Sequence, residues 1–279
     1  MSMIDVDKGN GNQPVQLFFQ DIGSGQPVVL IHGWPVSHAM WEHQMLALPA
    51  HGLRVIAYDR RGFGASSKPW EGYDYDTLAD DLKALLDGLD LKDVVLVGFS
   101  MGGGEVARYM ARHGGARVKK VALVSAVTPF LQKTADNPDG VDESVFTGII
   151  DGLKKDRPDF LTTFGKQFFN VGLLRHPVSD ATLEWSRSLA LPASPKATVD
   201  CVRAFAGTDF REDLKSITVP LLIVHGDADN TVPIKASGAR TAQMLPGAQY
   251  KVYEGAPHGL YITHSEELSR DLLAFIKNT

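Results

Sequence analysis

Short apolar runs alternate along the chain with amphipathic stretches of helical length. The apolar runs predict strands at residues 15–20, 27–31, 54–58, 93–97, 119–124, 221–224 and 248–253. Most of the segments between them fit one helix, as in 76–89, where leucines recur at helical spacing. Buried strands that alternate with helices are typical of a parallel sheet covered on both faces. The pattern therefore predicts an α/β fold with a mostly parallel sheet.

One connection departs from this alternation. About 95 residues separate the predicted strand that ends near 124 from the one that starts near 221, which is too long for a simple crossover. Within it Phe160, Phe164 and Phe168 recur at helical spacing, and no strong strand pattern is present. We predict a helical cap at 128–210, inserted between core segments 1–127 and 211–279. A cap of this kind usually roofs a site, although its aromatic side chains could simply attach the insertion to the core.

Composition and charge narrow the functional classes. The 279 residues are 44% apolar and 22% charged, as expected for a globular chain with one large domain or a domain with an insertion. With 28 basic against 33 acidic side chains and no long run of either sign, nucleic acid is not an expected partner. No apolar run approaches the roughly 20 residues that span a bilayer, and no secretory pattern opens the chain. We expect no membrane partner, a cytoplasmic location, and a packing role for the single cysteine, Cys201.

The motif with the clearest chemistry is Gly-Phe-Ser-Met-Gly at 98–102, which follows an apolar run and precedes a helical pattern. In that setting the serine lies on a sharp, strained turn, and glycines are needed two residues to either side. Ser100 is thereby held out of the sheet as a candidate nucleophile. The N–H of Met101 opens the following helix, where unpaired donors and the helix dipole favour a developing oxyanion.

A serine hydroxyl needs a base, and the base needs an acid to orient it. Two further loops supply these groups: the loop after strand 221–224 carries Asp227 and Asp229, and the loop after strand 248–253 carries His258. Both loops lie beyond the carboxyl ends of predicted parallel strands, where open α/β sheets place their sites. His258 is the candidate base, with either aspartate as its partner. His32 and His225, at strand ends, are expected to be structural.

Taken together, four stretches carry a resemblance to a known family: His-Gly-Trp-Pro at 32–35, Tyr-Asp-Arg-Arg-Gly-Phe-Gly at 58–64, the serine motif with its helix at 98–109, and Ala-Pro-His-Gly at 256–259. The chain resembles the α/β-hydrolase superfamily and, within it, the cofactor-free haloperoxidases, which are perhydrolases and aryl esterases. The resemblance implies the α/β-hydrolase fold and a triad of Ser100, Asp229 and His258. It favours Asp229 over Asp227 because the family's acid precedes a Val-Pro pair with two residues between.

The resemblance also implies an oxyanion hole. The N–H of Trp34 would be the second oxyanion donor, in a loop where Gly33 permits close approach of the backbone. Proline directly after this donor, here Pro35, is associated in the family with efficient reaction with hydrogen peroxide. The residues expected to shape the substrate pocket are Gly33, Pro35, Phe130, Phe164 and Trp185, with Leu189 as a further cap residue.

The expected reaction is acyl transfer from a small-molecule carboxylic ester or acid through an acyl-enzyme. Water would release an acid, whereas hydrogen peroxide would release a peracid that oxidises halide as a secondary activity. The sequence contains no phosphate-binding loop, His-Glu-x-x-His, haem-attachment or dinucleotide motif, so we expect no cofactor and no metal. Two alternatives remain: a hydrolase of a lactone, amide or carbon–carbon bond with the same triad, and a ligand receptor of slow turnover. The resemblance is also consistent with a homo-oligomer.

Overall fold

The computed structural model describes residues 2–7 and 14–278. Residues 1, 8–13 and 279, which fall within the predicted core segments 1–127 and 211–279, lie outside the described residues. One eight-stranded sheet runs through the described chain in the order β1-β2-β4-β3-β5-β6-β7-β8. Its strands are β1 Ser2–Asp7, β2 Val15–Gly23, β3 Gln26–Ile31, β4 Leu53–Tyr58, β5 Val94–Phe99, β6 Val118–Val124, β7 Leu221–Gly226 and β8 Gln249–Tyr253.

Strand β2 pairs antiparallel with both β1 and β4, and all the other pairs are parallel. The predicted α/β fold with a mostly parallel sheet is confirmed, and seven of the eight strands match the predicted apolar runs within a few residues. The additional strand, β1, lies at the edge of the sheet, where its side chains are half-buried or exposed. Its short segment therefore lacks the apolar run by which the others were recognised.

Helices lie on both faces of the sheet. They are α1 Glu42–Ala47, α2 Tyr75–Gly88, α3 Met101–His113, α4 Glu143–Phe168, α5 Asp180–Ala190, α6 Pro195–Gly207, α7 Arg211–Leu214, α8 Gly238–Met244, α9 Leu260–Thr263 and α10 Ser265–Lys277. The predicted helix at 76–89 is α2, which begins where the Asp74 side chain accepts a hydrogen bond from the N–H of Thr77. Among the described residues, no helix combines the length and the apolar character needed to cross a membrane.

Alternate residues of the central strands enter two separate cores. In β3, Val29 and Ile31 pack with the buried leucines of α2 and with α3, whereas Val28 and Leu30 pack with the buried face of α10 on the opposite side. Successive side chains of a strand point to opposite faces, so a strand that is buried on both must be apolar throughout. This explains why the central strands appear in the sequence as continuous apolar runs. Packing on both faces also makes the sheet rigid.

The long connection between β6 and β7 contains α4, α5, α6 and α7. Helix α4 is interrupted at Asp156, whose φ of −156° and ψ of 88° are not helical, two residues before Pro158. Helix α4 packs against both α5 and α6. Phe164 of α4 and Phe205 of α6 meet the indole of Trp34 edge to face, at 5.2 and 5.8 Å between ring centroids. The inserted helices thus contact the loop that follows β3.

Candidate active site

Ser100 occupies a strained turn between β5 and α3, with φ of 54° and ψ of −118°. A side chain with positive φ is uncommon and is held by its surroundings. The two flanking glycines make the turn sterically feasible: a Cβ on Gly98 would lie 2.5 Å from the carbonyl oxygen of Gly102, and a Cβ on Gly102 would lie 2.7 Å from that of Ile31. The turn places the Ser100 hydroxyl at the carboxyl end of the sheet, as the sequence motif predicts.

Three side chains from three different loops meet at this end of the sheet. His258, after β8, places Nε2 3.0 Å from Ser100 Oγ, and its Nδ1 lies 2.6 Å from Oδ2 of Asp229, which follows β7. All three side chains are buried. A carboxylate accepts hydrogen bonds, so the Nδ1 atom carries the hydrogen and Nε2 is free to accept the serine proton. The structure therefore brings together Ser100, His258 and Asp229 in the order needed for proton transfer.

The Asp229 carboxylate is held in its ionised form. Its Oδ1 accepts hydrogen bonds from the N–H groups of Thr231 and Val232, at 2.9 and 2.8 Å. Burial disfavours the charge, but the nearby His258 and contacts with His225 outweigh burial and hold the pKa of Asp229 well below its usual range. The carboxylate can thus orient and stabilise a charged His258.

The competing acid, Asp227, has a different partner. Its Oδ1 accepts a hydrogen bond of 2.6 Å from the N–H of Gly255, in the turn that follows β8. The contact ties the loop after β7 to the loop after β8, which carries His258. Of the two aspartates, Asp229 lies at hydrogen-bond distance from His258, whereas Asp227 stabilises the turn after β8.

Two aromatic rings enclose the His258 imidazole. Phe99, the last residue of β5, lies 4.9 Å away between ring centroids, and Phe168, the last residue of α4, meets the imidazole edge to face at 4.7 Å. Both rings are buried. They restrict the rotation of His258 and keep bulk water from its faces, which strengthens its hydrogen bonds to Ser100 and Asp229.

The loop after β3 passes directly against Ser100. A Cβ on Gly33 would lie 2.7 Å from the Phe99 ring and 3.2 Å from Cβ of Ser100, so only glycine fits there. The next residue, Trp34, lines the same cavity as Ser100, and its indole Nε1 donates a hydrogen bond of 3.0 Å to the carbonyl of Thr198 in α6. On the other side Met101 is the first residue of α3, whose initial N–H groups have no acceptor within the helix.

A cavity opens at Ser100 and His258. Its other lining residues are almost all apolar: Trp34, Val127, Leu131, Val141, Val145, Phe146, Ile149, Phe164, Phe205, Thr231 and Val232. Of the expected pocket residues, Phe164 lies in this wall. Phe146 and Ile149 were not predicted from the sequence, although their spacing with Val145 along α4 indicates a helix face that enters a pocket.

Phe130 and Trp185, which were expected to shape the pocket, lie outside this lining. The Phe130 ring is covered instead by the Arg211 guanidinium, whose central carbon lies 5.5 Å from the ring centroid. Trp185 is half-buried on α5, a helix whose buried residues are Ser186 and Ala190. Both placements depend on how the insertion packs against the core, which local spacing does not encode.

A second, smaller cavity lies beside the first. Pro35 lines it, together with Val36, Leu161, Phe164, Gly165, Phe168, Ser186, Arg187 and Ala190. Phe164 belongs to the lining of both cavities and is therefore the partition between them. Leu189 is half-buried and packs against the core on this side of the sheet.

The structure also bears on two other kinds of site, a metal site and a reactive cysteine. Among residues 2–7 and 14–278, no group of three or more His, Cys, Asp or Glu side chains could hold a metal ion. Cys201 is fully buried in α6, and burial raises the pKa of its thiol to about 12. The thiol is therefore protonated at neutral pH and packs in the core, as its sequence context predicts.

Comparison with known proteins agrees with this fold. A family model described as the α/β hydrolase fold matches residues 26–265. The chain is 48% identical to a putative non-heme chloroperoxidase of Synechocystis sp., over 99% of this chain and 100% of that protein. It is 41% identical to a bifunctional esterase/perhydrolase of Acinetobacter calcoaceticus, over 95% of this chain and 97% of that one. The crystal structure of a bromoperoxidase from Bacillus anthracis superposes with a TM-score of 0.95 at 46% identity, covering 99% of each chain.

Proposed function

This chain belongs to the α/β-hydrolase fold family as a non-haem haloperoxidase-like enzyme, and on that premise we propose that it is a serine hydrolase of carboxylic esters with perhydrolase activity. The observation that carries the proposal is the continuous chain of contacts from Ser100 Oγ through His258 to Asp229, at 3.0 and 2.6 Å. The catalytic triad consists of these three residues. Nucleophile, base and orienting acid are all buried at one end of a rigid sheet, as covalent catalysis requires.

Acylation begins when Ser100 Oγ attacks the ester carbonyl and His258 Nε2 takes its proton. Asp229 stabilises the imidazolium that forms, and the N–H groups of Trp34 and Met101 bind the oxyanion. Collapse of the tetrahedral intermediate breaks the bond between the carbonyl carbon and the alcohol oxygen. The alcohol leaves with the proton from His258, and the acyl group remains on Ser100.

Deacylation repeats these steps with a second nucleophile. His258 removes a proton from water, the hydroxide attacks the acyl carbon, and the proton returns to Ser100 Oγ as the carboxylic acid leaves. If hydrogen peroxide takes the place of water, the same steps release a peracid. The peracid then transfers one oxygen atom to a halide ion in solution, giving a carboxylate and a hypohalous acid. Halide oxidation by this route is a secondary activity.

The cavity indicates the class of acyl group. Apart from Ser100, His258 and Thr231, its lining is apolar, and none of its lining residues is an Asp, Glu, Lys or Arg. A charged acyl or aryl group would lose its hydration there without a partner. The substrates are therefore small, uncharged esters, or carboxylic acids that enter in the protonated form. We propose that residues 128–210 act as the cap that closes this cavity over the core.

Two further observations support perhydrolysis in particular. The relative from Acinetobacter calcoaceticus is named a bifunctional esterase/perhydrolase, and the relative from Synechocystis sp. is named a putative non-heme chloroperoxidase. Proline directly follows Trp34, the proposed oxyanion donor. Because proline fixes its own φ and lacks an N–H, Pro35 restricts the conformations of the loop that carries this donor.

Hydrolysis of p-nitrophenyl acetate and formation of peracetic acid from acetate and hydrogen peroxide test the proposal when they are measured on wild type and Ser100→Ala. We expect both activities in wild type and neither in Ser100→Ala. Ser125→Ala is the matched control, since Ser125 is also buried and its hydroxyl has no hydrogen-bond partner among the described residues. Ester cleavage without peracid would reduce the proposal to an esterase. Full activity in Ser100→Ala would remove Ser100 from the mechanism.

A further inference from the structure

A second histidine contacts the carboxylate of Asp229. His225 is the fifth residue of β7, and its side chain is fully buried. Its Nε2 lies 2.9 Å from the carbonyl oxygen of Val232 and 3.3 Å from Oδ2 of Asp229, the same oxygen that faces His258. The acid of the proposed triad is therefore flanked by two imidazoles, of which the mechanism uses one.

The surroundings of His225 fix its tautomer. A carbonyl oxygen can only accept, so Nε2 carries the hydrogen and donates it to Val232, with Asp229 Oδ2 3.3 Å from the same nitrogen. The opposite ring nitrogen, Nδ1, is buried and has no hydrogen-bond partner within residues 2–7 and 14–278. It lies against the first residue of α8, where a Cβ on Gly238 would be 2.5 Å away. A proton on Nδ1 would find no acceptor there, and the ring has no room to turn.

His225 also fixes the turn that presents Asp229. It binds the carbonyl of Val232, while the N–H of the same residue donates to Asp229 Oδ1 at 2.8 Å. The carbonyl and the N–H of Val232 thus connect His225, near the end of β7, to the Asp229 carboxylate. Both oxygens of Asp229 are restrained, Oδ1 by backbone donors and Oδ2 by the two histidines.

We propose that His225 is a positioning residue of this enzyme, which sets both the orientation of the Asp229 carboxylate and the share of its charge that reaches His258. The inference rests on the proposed function, because it requires that Asp229 act through His258. The Nε2–H group of His225 lies with its nitrogen 3.3 Å from Oδ2, and its partial positive charge offsets part of the negative charge that stabilises the His258 imidazolium. His225 therefore keeps His258 a working base at lower pH than a carboxylate without this donor would allow.

The other ionisable groups around Asp229 do not obscure the effect of His225 on the pH profile of activity. Facing the carboxylate are His225 from β7 and His258 from the loop after β8. Asp227, two residues away, is turned to the N–H of Gly255. Gly238 is the residue of α8 that packs on the His225 ring, and it has no side chain to titrate. A shift in the acid limb of the pH profile therefore reports the interaction between His225 and Asp229.

The test compares His225→Leu with His225→Gln. Leucine fills a similar volume without a donor, whereas the glutamine amide places N–H near the position of Nε2. The activity measured is kcat/KM for p-nitrophenyl acetate between pH 5 and 9, with each preparation normalised by titrating its reactive serine with a fluorophosphonate. We expect His225→Leu to lower kcat/KM roughly 10- to 100-fold and to move the acid limb to higher pH by about half a unit. His225→Gln should remain within a few-fold of wild type, with its acid limb unchanged.

Each alternative outcome is decisive. A normal kcat/KM in His225→Leu, or a lower value with an unmoved or downshifted acid limb, would leave His225 a purely structural residue and overturn the proposal. So would a glutamine variant that is as slow as the leucine variant while unfolding at the same temperature as wild type. Ser100→Ala, measured in parallel, separates this failure from that of the proposed function: if it keeps its activity, the triad itself is wrong.

Discussion

His32 Nδ1 lies 2.7 Å from the carbonyl oxygen of Gly33, and this contact fixes the peptide that carries the N–H of Trp34. The Nε2 atom of His32 accepts a hydrogen bond of 3.0 Å from the N–H of Arg60, so Nδ1 holds the hydrogen and donates it to Gly33. The C=O and N–H of one trans peptide point in opposite directions. By holding the carbonyl on one side, His32 turns the proposed oxyanion donor to the other.

The first prediction is that His32→Leu lowers kcat far more than it raises KM. Without the donor, the Gly33 carbonyl is free to rotate, and loss of one oxyanion donor costs roughly 100- to 1,000-fold in kcat. His32→Asn, whose amide nitrogen lies close to the former Nδ1 position, should recover most of the rate. Steady-state hydrolysis of p-nitrophenyl acetate by the two variants measures this. Equal rates in both would show that the His32 to Gly33 hydrogen bond does not orient the donor.

The same histidine makes the fold sensitive to acid. Burial, together with the adjacent Arg60, lowers the pKa of His32 to about 3, against 6.5 for an unperturbed histidine. Between these values the unfolded chain binds the additional proton, so stability is lost as the pH falls from about 6.5 towards 3. Between pH 7 and pH 5 the loss of unfolding free energy due to His32 is about 2 kcal/mol. Urea unfolding should show that His32→Asn loses about 2 kcal/mol less stability than wild type between pH 7 and pH 5. An identical loss in both proteins would contradict the assignment of this acid sensitivity to His32.

Strand and motif positions could be predicted because they are local. The apolar runs and the glycines at 98 and 102 are imposed by burial on both faces of the sheet and by the turn at Ser100, and both are visible in a short window. The proximity of the loops that carry Asp229 and His258 was also predictable, since both follow neighbouring parallel strands, whereas the choice of Asp229 over Asp227 came from the family resemblance. Strand β1 was missed because an edge strand is only half-buried.

The pocket could not be predicted in the same way, because it depends on contacts between distant segments. Phe130 faces Arg211, about 80 residues further along the chain, and nothing within the local pattern specifies that partner. His225 was expected to be structural from its position at a strand end. Its contact with Asp229 arises because the chain turns back within four residues. The contact depends on the conformation of the folded loop, which the composition of the loop does not specify.

A buried ion pair links the helix that follows Ser100 to the loop after β4. Arg60 Nε lies 2.7 Å from Oε2 of Glu105 in α3, both side chains are almost fully buried, and Tyr58 donates its hydroxyl hydrogen to the other carboxylate oxygen. Removing one partner leaves an uncompensated buried charge, so Arg60→Met and Glu105→Leu should each cost about 3 to 5 kcal/mol of unfolding free energy. The double variant should cost clearly less than the sum. Urea unfolding of wild type, the two single variants and the double variant completes the double-mutant cycle. Additive losses of unfolding free energy would show that Arg60 and Glu105 are not coupled.

The last prediction concerns Phe164, the partition between the two cavities. Phe164→Ala joins them and extends the apolar space beside Ser100, so longer acyl chains gain contacts that acetate cannot make. We expect the ratio of kcat/KM for p-nitrophenyl octanoate to that for acetate to rise by about 10-fold or more, since each buried methylene contributes up to about 0.8 kcal/mol. Phe160→Ala is the matched control, because Phe160 stacks on Phe164 at 5.8 Å from the same helix but lies outside both linings. An equal rise in the control would attribute the change to loosening of α4, and an unchanged ratio in Phe164→Ala would mean that the partition does not limit acyl length.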